Sequence, residues 1–97
     1  MSFEQALNTS LAAAFGDDQD LVMELRGAFV ESAERHCRAM AGANDDGEWR
    51  DAALRLKGLA ASFGATSLME QAGKAAATRR DPQLLVELQG AVAVLAL

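Results

Sequence analysis

WRDAALRLKGLAASFGA, residues 49–65, decides what kind of chain this is. Trp49, Ala52, Ala53, Leu56, Leu59, Ala60 and Phe63 recur at spacings of three and four, so at about 100° per residue they line one side of a helix. Gly64 stands where that helix ends. Leu54 falls almost opposite the stripe. Gly58 and Ala61 share its outer face, Lys57 flanks it, and Arg50 and Asp51 precede it by one turn. A mid-helix glycine costs about 1 kcal/mol relative to alanine, so its place on an outward face calls for a reason. One reason is close approach: without a side chain at 58 a partner can reach position 54, with Lys57 nearby to hold an anion. The other reading is that a small bundle tolerates one glycine and one exposed leucine.

The helical period continues on both sides of this stretch. Residues 3–15 place Phe3, Leu7, Leu11 and Ala14 on one stripe, with Gly16 in position to end a short lid helix. Asp17 or Asp18 is suited to cap a longer helix with the stripe Val22, Leu25, Phe29, Ala33, His36 and Met40, which Gly42 and the loop ANDDGE close. The helix of Leu54 then begins near Asp46 or Glu48. Thr66 or Ser67 is the expected cap of the next segment, with Ser67 and Glu70 at capping-box spacing and Leu68, Ala72, Ala75 and Ala76 inward. Asp81 as N-cap and Pro82 at the first helical position open the last helix, in which Leu84, Leu85, Leu88, Ala91, Val92 and Leu95 follow the period. No strand-like alternation, internal repeat or domain boundary is apparent in the sequence. Four long helices on short connections predict an all-α, up-down-up-down antiparallel four-helix bundle, with a short N-terminal helix across one end, as a single domain over residues 1–97.

Composition narrows the function. About half of the 97 residues are apolar and one is proline, which favours an ordered core. A single cysteine, Cys37, cannot close an internal disulfide, so a cytoplasmic location is expected. The first residues carry no basic, apolar leader pattern, and the C-terminal run LQGAVAVLAL is too short to span a bilayer. The net charge of −5 argues against nucleic acid as a partner. That charge is unevenly spread: residues 1–49 carry ten acids against three bases, whereas residues 50–80 carry six bases against two acids. A local basic zone inside an acidic chain suits an acidic partner face, although charges that merely solvate helices would look the same.

Ala53-Leu54-Arg55-Leu56-Lys57-Gly58 followed by Ala60-Ala61-Ser62-Phe63-Gly64-Ala65 resembles the signature of histidine-containing phosphotransfer (HPt) domains, which carry phosphoryl groups in bacterial two-component phosphorelays. The family's pattern is a histidine, two residues, Lys-Gly, and a glycine six residues later, and Lys57, Gly58 and Gly64 keep that spacing. The likeness extends to the long second helix with Phe29-Val30-Glu31, the acidic loop before Trp49 and the order of the helices. It implies that this helix docks a receiver domain or histidine kinase. Lys57 would supply positive charge, Gly58 would allow close approach, and Arg55, Ala61 and Ser62 would lie in or near the patch, with Arg50 among the basic residues around it. The phosphoacceptor position, however, holds Leu54, which has no nucleophilic nitrogen. The resemblance therefore implies an HPt-like, or pseudo-HPt, binding protein rather than a carrier.

Three alternatives compete. Phosphotransfer through His36 is one, against the reading of that residue as a partly buried packing group with a satisfied ring nitrogen. A substitution of leucine for histidine in an otherwise active carrier is the second. A structural module is the third, with the apolar C-terminal helix packing against a second copy as a homodimer. Enzymatic readings find no support in the sequence, which has no Ser-His-Asp set, no glycine-rich phosphate loop and no paired Cys or His at zinc spacing. No cofactor and no metal are expected.

Overall fold

Asp18, Asp45 and Asp81 set the starts of three helices. The computed structural model describes residues 7, 9, 11–14, 16 and 18–96. Its helical residues 7, 9 and 11–14 form α1, followed by α2 (Gln19–Ala41), α3 (Asp46–Ser62), α4 (Thr66–Ala76) and α5 (Pro82–Leu95). Among the described residues there is no strand. The Asp18 carboxylate accepts from the Leu21 amide at 3.0 Å, and that of Asp45 from the Glu48 amide at 2.8 Å. Asp81 accepts from Gln83 and Leu84, with Pro82 next to it as the sequence predicts. Each carboxylate satisfies amides that have no partner inside the helix and meets the positive end of its dipole.

The start of α4 departs from expectation. Its N-cap is Ala65, no side chain caps it, and the capping box of Ser67 and Glu70 does not form. The cause lies in the end of α3. Gly64 takes the left-handed conformation (φ 72°), its amide donates to the Ala61 carbonyl, and the Ala65 amide donates to Ala60 at 2.9 Å. This pair of bonds closes α3 as a Schellman motif and carries Ala65 straight into the core, so α4 begins on a buried apolar residue. Gly16 likewise has φ 65° and donates to Ala12. In α1, Leu7 and Leu11 are buried, whereas Ala14 is exposed, so the expected stripe ends at Leu11. Phe3, Phe15 and Asp17 lie outside the described residues.

Among the described residues, α3 packs against α2 and α4, and α5 packs against the same two helices; α3 and α5 do not meet. The four helices thus close a ring around Phe29, Ala33, Met40, Leu56, Leu68, Leu88 and Val92, all buried. The Trp49 indole N–H donates to the Ala75 carbonyl at 2.8 Å and ties α3 to α4 inside the core. Phe29 and Phe63 meet as tilted rings, 5.1 Å between centroids, joining α2 to α3. At one end Arg80 reaches across from the segment before α5, donating through its guanidinium to the Ala43 carbonyl and through its amide to Asp46.

α2 shows a second difference from the predicted stripe. Cys37 is in the core although it lies off the stripe, whereas His36, read as partly buried, is half-buried. α2 lies between α3 and α5 and buries a sector toward each, so Val30 and Cys37 turn inward on the α5 side, where Cys37 lies near Val92.

Candidate docking face on α3

The helical period of α3 separates two surfaces with little between them. Ala53, Leu56 and Ala60 have no exposed surface. Arg50, Leu54, Arg55, Lys57, Gly58, Ala61 and Ser62, the residues singled out in the sequence, are all exposed on the other side, with Leu54 at 46 %. The structure therefore brings these seven residues onto one outward face of one helix, whereas the alternative candidate His36 lies on α2. A single leucine surrounded by small residues and cations is a compact apolar contact with a charged rim.

Gly58 has no reason to be glycine within this chain. A Cβ built there meets nothing within 4 Å, and the residue lies inside a regular helix. The open space over it adjoins Leu54, one turn away. Ser62 lies a turn further on, and its hydroxyl donates back to the Gly58 carbonyl at 2.9 Å. That bond is local, so Ser62 contributes the outer side of its hydroxyl to the face rather than a free donor.

Lys57 is steered by a residue that the sequence reading did not pick out. A Cβ built on Gly73 of α4 lies 3.6 Å from Lys57 Cδ and 3.7 Å from Cε, so the lysine stem runs over α4 at the place where that helix has no side chain. The Nζ lies over the same spot, 3.9 Å from that Cβ, so the whole side chain rests along the neighbouring helix as long cationic stems do. A second mid-helix glycine, three residues after Glu70, was the available signal. Among the described residues Arg50, Arg55 and Lys57 make no hydrogen bond or ion pair, so their charge is uncommitted.

His36 sits beside this face rather than in it. Burial, then the charges of Arg35 and of Arg55 across on α3, lower its pKa below the ordinary 6.5. The ring is thus held neutral near neutral pH. The expected hydrogen bond to a ring nitrogen is absent among the described residues. Cys37 behaves as a core side chain: burial first, with Glu34 adding to it, pushes its thiol up to about 11, and Arg38 opposes the shift only in part. An un-ionised thiol is a poor nucleophile and a poor metal ligand.

One further feature lies away from α3's outer face. A cavity of about 550 Å3 lies at the end of the ring where Met40, Trp49, Arg79, Arg80, Pro82 and Leu85 meet, beyond the turn that carries Leu54. Among the described residues no group of three or more His, Cys, Asp or Glu side chains could hold a metal ion. No described helix is long and apolar enough to cross a membrane. No family model matches the chain, and no curated protein or solved structure matches it either.

Proposed function

We propose that this chain is an HPt-like protein of a bacterial phosphorelay, an up-down-up-down antiparallel helical bundle that docks an acidic receiver or kinase domain on the outer face of α3 without carrying phosphate there. The observation that carries the reading is the pairing of exposed Leu54 with open space over Gly58, inside a rim of uncommitted Arg50, Arg55 and Lys57. Leu54 offers a small apolar anchor, the missing side chain at 58 lets a partner backbone approach, and the cations raise the encounter rate with an acidic surface. Position 54 has no atom that can accept a phosphoryl group, so the role is that of a competitor, scaffold or regulator in the cytoplasm rather than an enzyme.

Titration against isolated bacterial receiver domains tests this reading. At least one receiver is expected to bind more tightly than millimolar, and Leu54→Asp combined with Lys57→Glu is expected to abolish that binding while leaving the helical content intact. Incubation with phosphorylated receivers is expected to leave the chain unlabelled, and Leu54→His to gain an acid-labile phosphoryl group. Labelling of the unaltered chain that disappears in His36→Gln would instead make it a carrier through His36. Binding that ignores the double substitution would remove α3 as the docking face.

A further inference from the structure

Arg50 and Arg79 stand near opposite ends of the basic zone of residues 50–80, and the fold brings them to one place. Arg50 is near the start of α3, and Arg79 follows the end of α4 by three residues. The bond from the Trp49 indole to the Ala75 carbonyl holds those two helix ends side by side. Both arginines line a hollow of about 280 Å3 together with Ala76, Ala77 and Thr78. Asp46 also borders the hollow, but its charge is already matched. Its carboxylate accepts from the Arg80 amide at 3.0 Å and lies 3.8 Å from the Arg80 Nε. Among the described residues Arg50 and Arg79 make no hydrogen bond or ion pair, and both are exposed.

The two flanks of α3 differ in charge. By the 100° period Arg50 and Lys57 lean toward α4, whereas Glu48, Asp51 and Arg55 lean toward α2. The surroundings agree: Lys57 rests on α4 at Gly73, and the charge of Arg55 acts on His36 of α2. Gly73 precedes Ala77 by one turn, so the Lys57 ammonium lies about one turn from the hollow along α4. Leu54 is likewise one turn from Arg50 along α3. The only acid of α4, Glu70, lies about two turns before Ala77. The groove between α3 and α4 thus carries Arg50, Lys57 and Arg79 with no acid paired to any of them among the described residues.

We infer that this groove holds an acidic segment of the docking partner, with Arg50 and Arg79 gripping one carboxylate in the hollow and Lys57 meeting a second a turn away. A guanidinium presents a planar fork that matches a carboxylate, and two like charges over one hollow repel until an anion lies between them. A lone small anion meets the two arginines only. A segment with carboxylates about 5 Å apart, the rise of one helical turn, meets the lysine as well. The overall charge of −5 keeps a long polyanion off, whereas a short acidic segment meets mainly the local field. The footprint of the partner then extends from Leu54 toward α4 rather than toward α2. That the partner is a receiver or kinase rests on the docking reading of α3; the grip of Arg50 and Arg79 on carboxylates does not.

Two titrations of the full labelled chain, followed by NMR, test the inference. With a peptide of six glutamates at constant ionic strength, the Nε–Hε signals of Arg50 and Arg79 are expected to shift together with the amides of Ala77 and Thr78. These shifts are expected to exceed those at Arg35 and Arg38, and Arg79→Glu is expected to abolish the shift at Arg50. With a receiver domain that shifts Leu54 and Gly58, Arg50→Glu and Arg79→Glu are each expected to weaken binding at least about fivefold with unchanged circular dichroism. Arg38→Glu makes the same change of charge on α2 and is expected to weaken it less than about twofold. Peptide shifts no larger at Arg50 and Arg79 than at Arg35 and Arg38 would overturn the inference. A receiver whose affinity ignores Arg50→Glu and Arg79→Glu would overturn it too, with the docking reading of α3 intact. Peptide shifts confined to the hollow while no receiver binds would uphold the grip on carboxylates and overturn that docking reading instead.

Discussion

On its inner side α3 presents Ala53, Leu56 and Ala60 with no exposed surface, together with Trp49, whose indole is bonded to a carbonyl of α4. On its outer side the same helix presents Leu54, Gly58 and Ala61 to solvent, and nothing in the described structure touches the space over Gly58. The inner side is constrained by packing density and by a buried hydrogen bond, where even one methylene is felt. The outer side is free of both constraints. What stands at positions 54 and 58 is therefore not dictated by the fold, and the reason for it has to be sought in what approaches from outside.

The comparison breaks most readily at Trp49. Trp49→Ala is expected to cost about 3–5 kcal/mol in chemical unfolding, because a large buried side chain leaves a cavity between α3 and α4. The Ala75 carbonyl keeps a donor in the Thr78 hydroxyl at 3.1 Å, so an unpaired acceptor adds little to that loss. Gly58→Ala moves stability the other way. With open space for the methyl, it is expected to raise unfolding free energy by about 0.5–1 kcal/mol while weakening receiver binding. A destabilised Gly58→Ala would mean that the glycine serves the fold after all.

Smaller effects sharpen the same contrast. Leu54→Ala is expected to change unfolding free energy by no more than about 0.5 kcal/mol, as for an ordinary surface position. A larger loss would place Leu54 among the packed residues. The smallest effect concerns pH and the edge between the two sides. His36 has a folded pKa below its ordinary 6.5, so the folded chain favours the neutral ring. Its contribution is fully present above about pH 6.5 and is lost as pH falls through the folded value. In urea titrations, the unaltered chain is expected to lose stability relative to His36→Gln as the solution is acidified, and to show no such relative loss at neutral pH and above.

What the sequence made legible follows the range of the forces involved. Asp81-Pro82 and the glycines at 16 and 64 are read correctly because a cap or a left-handed turn is set by neighbouring residues. The stripe of α3 is read correctly because a helix with one buried side has a sharp period. The start of α4 was missed because burial of Ala65 overrides the local chemistry of Ser67 and Glu70. The core position of Cys37 has no counterpart in the stripe because the sector that α2 buries depends on where α5 sits, and α5 lies far along the chain, whereas His36, read as partly buried, is half-buried. The Trp49–Ala75 bond and the seat of Lys57 over Gly73 join α3 to α4, and no local pattern announces either. The outer face of α3 was legible as a set of residues on one side of a helix; its openness became visible only with the neighbours around it.

The central claim is that α3's outer face receives a partner, and amide chemical-shift mapping of the labelled chain against an unlabelled receiver domain tests it most directly. The account predicts shifts centred on Leu54, Gly58 and Ala61, extending to Arg55 and Lys57, that saturate with added receiver. Absence of shifts up to millimolar receiver, or shifts confined to other helices, would contradict it.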